Sequence, residues 1–364
     1  MNYLVWAIAA AGAAYQLIAL AACVRHLLGN DPEPDFSPPV SILKPVRGVD
    51  PQMRHAVRTH LEQDYPEFEL LCGVADLADP AAGEIGVPVV HCPSQAPNGK
   101  VGVLMDLDRS ARFPMRVVND SDISVPPRYL RRVVAPLADP AIGVVTCLYR
   151  AGADSFAGRW EALGIATDFA PSVLVAPLFG VNEFALGSTL AYRAEDFAKA
   201  GGFRGISDYI ADDYQLGKRI SALGKKVWLS HVVVETQLSG ETFADVWAHQ
   251  LRWARTIRLA RGAYIGLPFT NASIWAAALL ILGAWPWAVA LLALRLLVGI
   301  LAGWFVLRSK IVLRYWFLMP FRDLWGFAIW LAGMRGNEVL WRDQRLRLDG
   351  DGRIIAVEAA NDGV

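Results

Sequence analysis

Two aspartates one residue apart, Asp120-Ser121-Asp122, close a short β-branched run from Arg116 to Asn119. Carboxylates on one side of a turn can hold Mg2+ or Mn2+ through oxygen ligands, and a cation there would neutralise a departing diphosphate. A solvated turn of the same sequence would need no ligand. Asp76 likewise follows a run, Phe68 to Val74. In an open parallel sheet both positions fall in the crevice beyond the carboxyl ends of the strands, where ligands bind. Asp212 and Asp213 open a helical pattern over Tyr214 to Leu223. They suit helix capping, and one of them suits a general base that takes the proton of an attacking hydroxyl. One such base is enough for a single displacement with inversion.

Cations stand where they could meet phosphate. Lys44 and Arg47 follow the run Val40 to Leu43, and Lys100 lies in Asn98-Gly99-Lys100. Solvated surface is the competing reading for each. Residues 241–262 combine Trp with Arg: Arg252, Arg255, Arg258 and Arg261 recur every three residues, beside Phe243, Val246, Trp247 and Trp253. That pattern predicts an amphipathic helix in the membrane interface, with a cationic stripe toward headgroups. From it His249, Gln250, Arg252 and Trp253 could reach the same site, Arg252 toward the diphosphate and Trp253 toward a sugar or its acceptor.

These side chains need a scaffold, and the 364 residues alternate between two characters. Residues 1–29 read as a retained transmembrane anchor. Met1 to Val24 carry no charge, and Arg25 and His26 come after the apolar run, whereas a cleaved signal peptide begins with basic residues. Residues 30–240 read as a soluble α/β domain, with strands at Val40 to Leu43, Phe68 to Val74, Arg116 to Asn119, Gly143 to Tyr149 and Val227 to Val234, and a helix at Met53 to Gln63. Residues 263–334 read as a C-terminal membrane region: a two-span hairpin turning near Trp285, Pro286 and Trp287, then a re-entrant element interrupted by Arg314, Pro320, Arg322 and Asp323, with a third span as the alternative. Residues 335–364 form a basic tail with a small hairpin around Asp349 to Gly352, cytosolic like the α/β domain by the positive-inside rule. Hydrophobic residues make up 54% of the chain, consistent with partial burial in a bilayer, and equal totals of 35 basic and 35 acidic residues give no global pull toward nucleic acid. Four scattered cysteines form no short-spacing metal motif and suit a reducing compartment.

Together the stretches Ser41-Ile42-Leu43-Lys44-Pro45 with Gly48, Gln63-Asp64-Tyr65-Pro66, Asp79-Pro80, Asp120-Ser121-Asp122, Gly201-Gly202-Phe203, Ala211-Asp212-Asp213-Tyr214, Arg252-Trp253 and the tail around Trp341 and Arg342 resemble the ceramide glucosyltransferase family and its bacterial relatives, including hopanoid-associated glycosyltransferases. The resemblance implies an α/β catalytic domain of GT-A type joined to α-helical transmembrane segments. It further implies a UDP-sugar donor, Mg2+ or Mn2+ as cofactor and inverting transfer to a membrane lipid, in a bacterial plasma membrane. By position, Asp76 looks like the nucleotide aspartate, Asp120 the aspartate at metal and diphosphate, and Asp213 the base. Arg252 with Trp253 looks like the end of a signature whose first position here is His249. Asp343-Gln344 stands where glycine and arginine are usual.

Ceramide-like lipid with UDP-glucose leads, and a hopanoid with UDP-N-acetylglucosamine is the alternative. A processive polysaccharide synthase shares the aspartates but needs more spans to enclose a polymer channel. A lipid-binding scaffold would have no use for Asp76, Asp120, Asp122, Asp213 and Arg252 together, and the spans are expected to lack paired intramembrane charges.

Overall fold

A computed structural model describes residues 2–260, 262–341 and 344–359; Arg261, Arg342 and Asp343 lie outside them. Its core is a seven-stranded sheet of β1 (Val40–Pro45), β2 (Phe68–Val74), β3 (Val89–His91), β4 (Met115–Val118), β5 (Ile142–Ala153), β6 (Leu190–Arg193) and β7 (Lys226–Leu238), in the order β3-β2-β1-β4-β6-β5-β7. Only β6 runs against the rest, pairing antiparallel with β4 and β5. The central strands β1 and β4 are covered on both faces, so they read as continuous buried runs with no polar alternation. The loops after β2 and β4, which carry Asp76 and Asp120, therefore leave the sheet at the same edge.

Around the sheet, three helices among the described residues are long and apolar enough to cross a membrane: Tyr3–Leu28, Phe156–Phe179 and Trp285–Val306. A bent pair, Tyr264–Thr270 with Ala272–Ile281, makes a fourth if counted as one span. Its two halves meet at 57° at Asn271, whose side chain accepts from Ile274 N (3.3 Å) and donates to the Asp323 carbonyl (2.9 Å). The turn before Trp285 lies where the sequence places it. Ile281, Trp285 and Trp287 are strongly exposed there, as an apolar end with an aromatic belt would be in a bilayer.

Two expectations are corrected. The strand-and-turn reading of residues 30–240 omits the helix Phe156–Phe179, because Arg159, Glu161 and Asp168 interrupt its apolar run. The apolar helices do hold a paired charge. Arg295 and Asp323 form a two-point ion pair at 2.6 and 2.9 Å, and Ser273 donates to the same carboxylate at 2.5 Å. The charges satisfy one another across two helices, which lowers the cost of their burial.

The tail is more than a hairpin. Strands β8 (Glu338–Trp341), β9 (Gln344–Leu348) and β10 (Ile354–Ala359) form an antiparallel sheet. It docks on the α/β domain through Ile354 N to the Asp208 carbonyl (2.6 Å) and an apolar cluster of Ile210, Val339, Leu346, Leu348 and Ile354. At the other end, Asp31 ties the exit of the N-terminal helix to the sheet. Its buried carboxylate accepts from Arg132 (2.9 Å), Trp228 (3.2 Å), Ser230 (2.9 Å) and the backbone of His231 (2.9 Å). Asp31→Ala strands these buried donors and is expected to lower stability by about 3 kcal/mol. Thermal unfolding in detergent at pH 7 would show it, and an unchanged midpoint would contradict the tie.

Candidate active site

Asn98 sets the geometry. Fully buried, it caps the helix Gly99–Ser110 by accepting from Val101 N, and its amide donates to the Tyr209 carbonyl at 2.8 Å. That cap fixes the first helical turn, which carries Lys100. The Lys100 Nζ stands 2.8 Å from Asp120 Oδ1 and 3.1 Å from Asp212 Oδ2. Carboxylates from the loop after β4 and from the helix Asp212–Ala222, some ninety residues apart, are thus bridged by one ammonium. Burial disfavours its charge, but Asp120 and Asp212 outweigh burial and hold Lys100 well above the usual lysine range.

Asp213 sits on the same wall and serves the fold as well. Its Oδ2 accepts from Gly187 N (2.8 Å) and its Oδ1 from Tyr214 N (2.7 Å). Burial, with the neighbouring Asp212 charge, pushes Asp213 up to about 6, against the opposing pull of Lys100 and the two backbone donors. Gly187, which sequence reasoning leaves unassigned, is where the groups meet: a Cβ there would lie 3.3 Å from Asp120 Oδ2, 3.4 Å from Asp213 Oδ2 and 3.7 Å from Lys100 Nζ. A bare backbone leaves that space to a ligand.

The Asp120-Ser121-Asp122 loop is held from three directions. Lys44 donates from beneath to the carbonyls of Asp120 (2.7 Å) and Ile123 (3.2 Å), Ser124 exchanges backbone bonds with Glu235 of β7, and the Thr236 hydroxyl donates to Asp122. Lys44 is fully buried, and burial lowers it to about 8. It does not border the cavity, so its expected contact with donor phosphate is corrected to support of the loop. Burial and the Asp120 charge push Asp122 up. Among the described residues no three metal-ligating side chains converge. Asp120 and Asp122 both border the cavity, and a small divalent ion held there would share its remaining positions with phosphate and water.

Asp76, Lys100, Asp120, Asp122, Asp212, Asp213, His249, Gln250, Arg252 and Trp253 all border one cavity of about 2250 Å3. The last four come from the helix Phe243–Ala260. His249 lies 2.5 Å from Glu161, a residue of the apolar helix that sequence reasoning missed, and Gln250 accepts from Trp325 (2.9 Å). Trp253 packs between His249 and Phe169, at 4.7 and 6.0 Å between ring centres. The expected cationic stripe toward headgroups is corrected. Arg255 and Arg258 bond the carbonyls of Arg335, Gly336 and Glu338, because the chain leaving the helix Met319–Gly333 brings its unpaired carbonyls against them.

The model of Glycosyl transferase family 21 matches residues 4–354. The chain belongs to this family. It is 23% identical over 351 residues to ceramide glucosyltransferase 1 of Caenorhabditis elegans, a match covering 89% of this chain and 74% of that one. A ceramide glucosyltransferase of Komagataella phaffii is 41% identical over 44 residues, 12% of this chain and 9% of that protein. Among solved structures, the mannosyltransferase PcManGT from Pyrobaculum calidifontis, in complex with GDP-Man and Mn2+, matches with a TM-score of 0.53 at 19% identity, over 91% of this chain and 97% of that one. The fold is GT-A, and this family 21 member is a glycosyltransferase.

Lys100→Met removes the charge that opposes protonation of Asp213. With Asp213 as the base, the acid limb of the kcat/KM profile, which reports the free enzyme, is expected near pH 6 in the wild type and at higher pH in the variant. A limb that stays in place would detach Lys100 from Asp213.

Proposed function

We propose that this chain transfers a hexose, glucose foremost, from a UDP-sugar to the hydroxyl of a ceramide-like membrane lipid with inversion at the sugar carbon. One observation carries the reading: Asp120, Asp122, Asp213 and Arg252 border a single cavity that continues between the apolar helices. A soluble acceptor would need no such continuation.

Asp76 binds the nucleotide from the end of β2, and Arg252 faces the diphosphate, where a guanidinium can bond two oxygens at once. Mg2+ or Mn2+ held by Asp120 and Asp122 would neutralise charge on the leaving diphosphate. Trp253 offers an apolar ring face for the sugar or the acceptor, positioned by His249 and Phe169. Asp213 takes the acceptor proton as the lipid oxygen attacks. Its raised proton affinity makes it a stronger base than an ordinary aspartate, yet leaves it mostly ionised at neutral pH. The α/β domain lies in the cytosol of a bacterial cell, with Arg25 and His26 at the inner end of the first helix.

UDP release from UDP-glucose is expected to depend on Mn2+ or Mg2+ and on added ceramide. Asp213→Asn is expected to lower kcat about 100- to 10,000-fold with little change in the donor KM. No release with any lipid would favour a scaffold over an enzyme of this kind, and an Asp213→Asn variant at full rate would remove the base assignment.

A further inference from the structure

The cavity extends beyond Trp253 into the helical layer, where it borders Asp168, Arg322, Arg295 and Asp323. These four charges are not equivalent. Arg295 and Asp323 bond one another at two points, and Ser273 completes the carboxylate. Arg322 is 7% exposed and makes no hydrogen bond or ion pair with any described residue; its buried Nε has no partner, and its guanidinium rests against Gly164. Asp168 borders the same space and, unlike Arg322, is exposed to it.

A guanidinium held unpaired among apolar helices is costly, and a charge kept there marks a functional position. The backbone around Asp168 points the same way. Residues Ile165–Phe169 form a π-helical turn within the long helix, a feature that shifts side chains out of register and is common at functional sites. The next residue, Phe169, packs on Trp253, so this space adjoins the place of sugar transfer.

We infer that Asp168 and Arg322 form the subsite that holds the polar head of the acceptor lipid, Asp168 accepting from its hydroxyl or amide N–H and Arg322 donating to its carbonyl or hydroxyl oxygen. This rests on the lipid-transferase reading and names residues for it. Arg295 and Arg322 face Asp323 and Asp168, and the further carboxylate on this wall, Glu161, is taken by His249, so no cationic surplus is left for an anionic head and an uncharged head that both donates and accepts satisfies the site. A phosphate monoester would bring about two negative charges that Asp168 repels. Val175, Phe179, Val298 and Ile329 give the cavity apolar wall for the chains.

The full chain in nanodiscs, with UDP-glucose and Mn2+, would be offered ceramide alone and with phosphatidic acid as competitor. The wild type is expected to glucosylate ceramide, with phosphatidic acid neither accepting sugar nor competing. Asp168→Asn and Arg322→Gln are each expected to raise the ceramide KM about tenfold or more, with the UDP-glucose KM within about twofold. Arg322→Lys should recover part of the loss. If Arg322→Gln fails to fold, Gly164→Ala displaces the guanidinium from the facing helix and should raise the ceramide KM in the same way. A ceramide KM unchanged in these variants, or donor and acceptor KM rising in step, overturns the subsite and leaves the transferase reading standing. Competition by phosphatidic acid, or its glucosylation, also overturns it. A wild type that glucosylates no lipid overturns both.

Discussion

Four aspartates on one cavity wall repel one another, and the ammonium of Lys100 makes their convergence tolerable. Asp120 and Asp212 contact it, and Asp213 lies within its field. Without that cation, burial and like charge would drive the carboxylates to bind protons or move apart. Its position rests in turn on Asn98, whose buried side chain caps one helix and bonds the Tyr209 carbonyl in the segment that leads into the helix beginning at Asp212. The site is thus electrostatically poised before any ligand arrives, with surplus negative charge that a divalent ion and a cationic Arg252 rim can balance around a diphosphate.

The second constraint is the bilayer. The sheet delivers carboxylates to one edge, while the helix Phe243–Ala260 brings His249, Gln250, Arg252 and Trp253 to the opposite wall from the membrane side. Each wall is fastened to apolar helices: His249 by Glu161, Gln250 by Trp325, and the exit of the first helix by Asp31. The docked tail closes the remaining side through Trp341, Gln344 and Val357. On the proposed reading, an acceptor entering from the lipid layer would meet Asp213 without crossing water.

Much of the sheet was legible because buried parallel strands are short β-branched runs, and the acidic residues after β2 and β4 followed from the rule that ligands sit beyond carboxyl ends. The strands β3 and β6 were missed; with three and four residues they leave almost no pattern. The helix Phe156–Phe179 was hidden by its charged residues: Glu161 and Asp168 break the apolar run, and that both border the cavity is visible only once the segment is folded as one helix with its π-helical turn. Lys44 was misread because a lysine near a strand end resembles a phosphate ligand, and nothing local reveals that it turns under a loop to bond carbonyls. Arg255 and Arg258 kept the helical spacing of a headgroup stripe, and only tertiary contact with residues 335–338 redirects them.

Cryo-electron microscopy of the full chain in nanodiscs with UDP and Mn2+ tests the central claim most directly. UDP should lie in the cleft bordered by Asp76 and Arg252, with the ion at Asp120 and Asp122, Asp213 open to the chamber beside Trp253, and the chamber at the level of the lipid headgroups. UDP bound on another face, or Asp213 and Arg252 separated by protein with no shared space, would contradict the account.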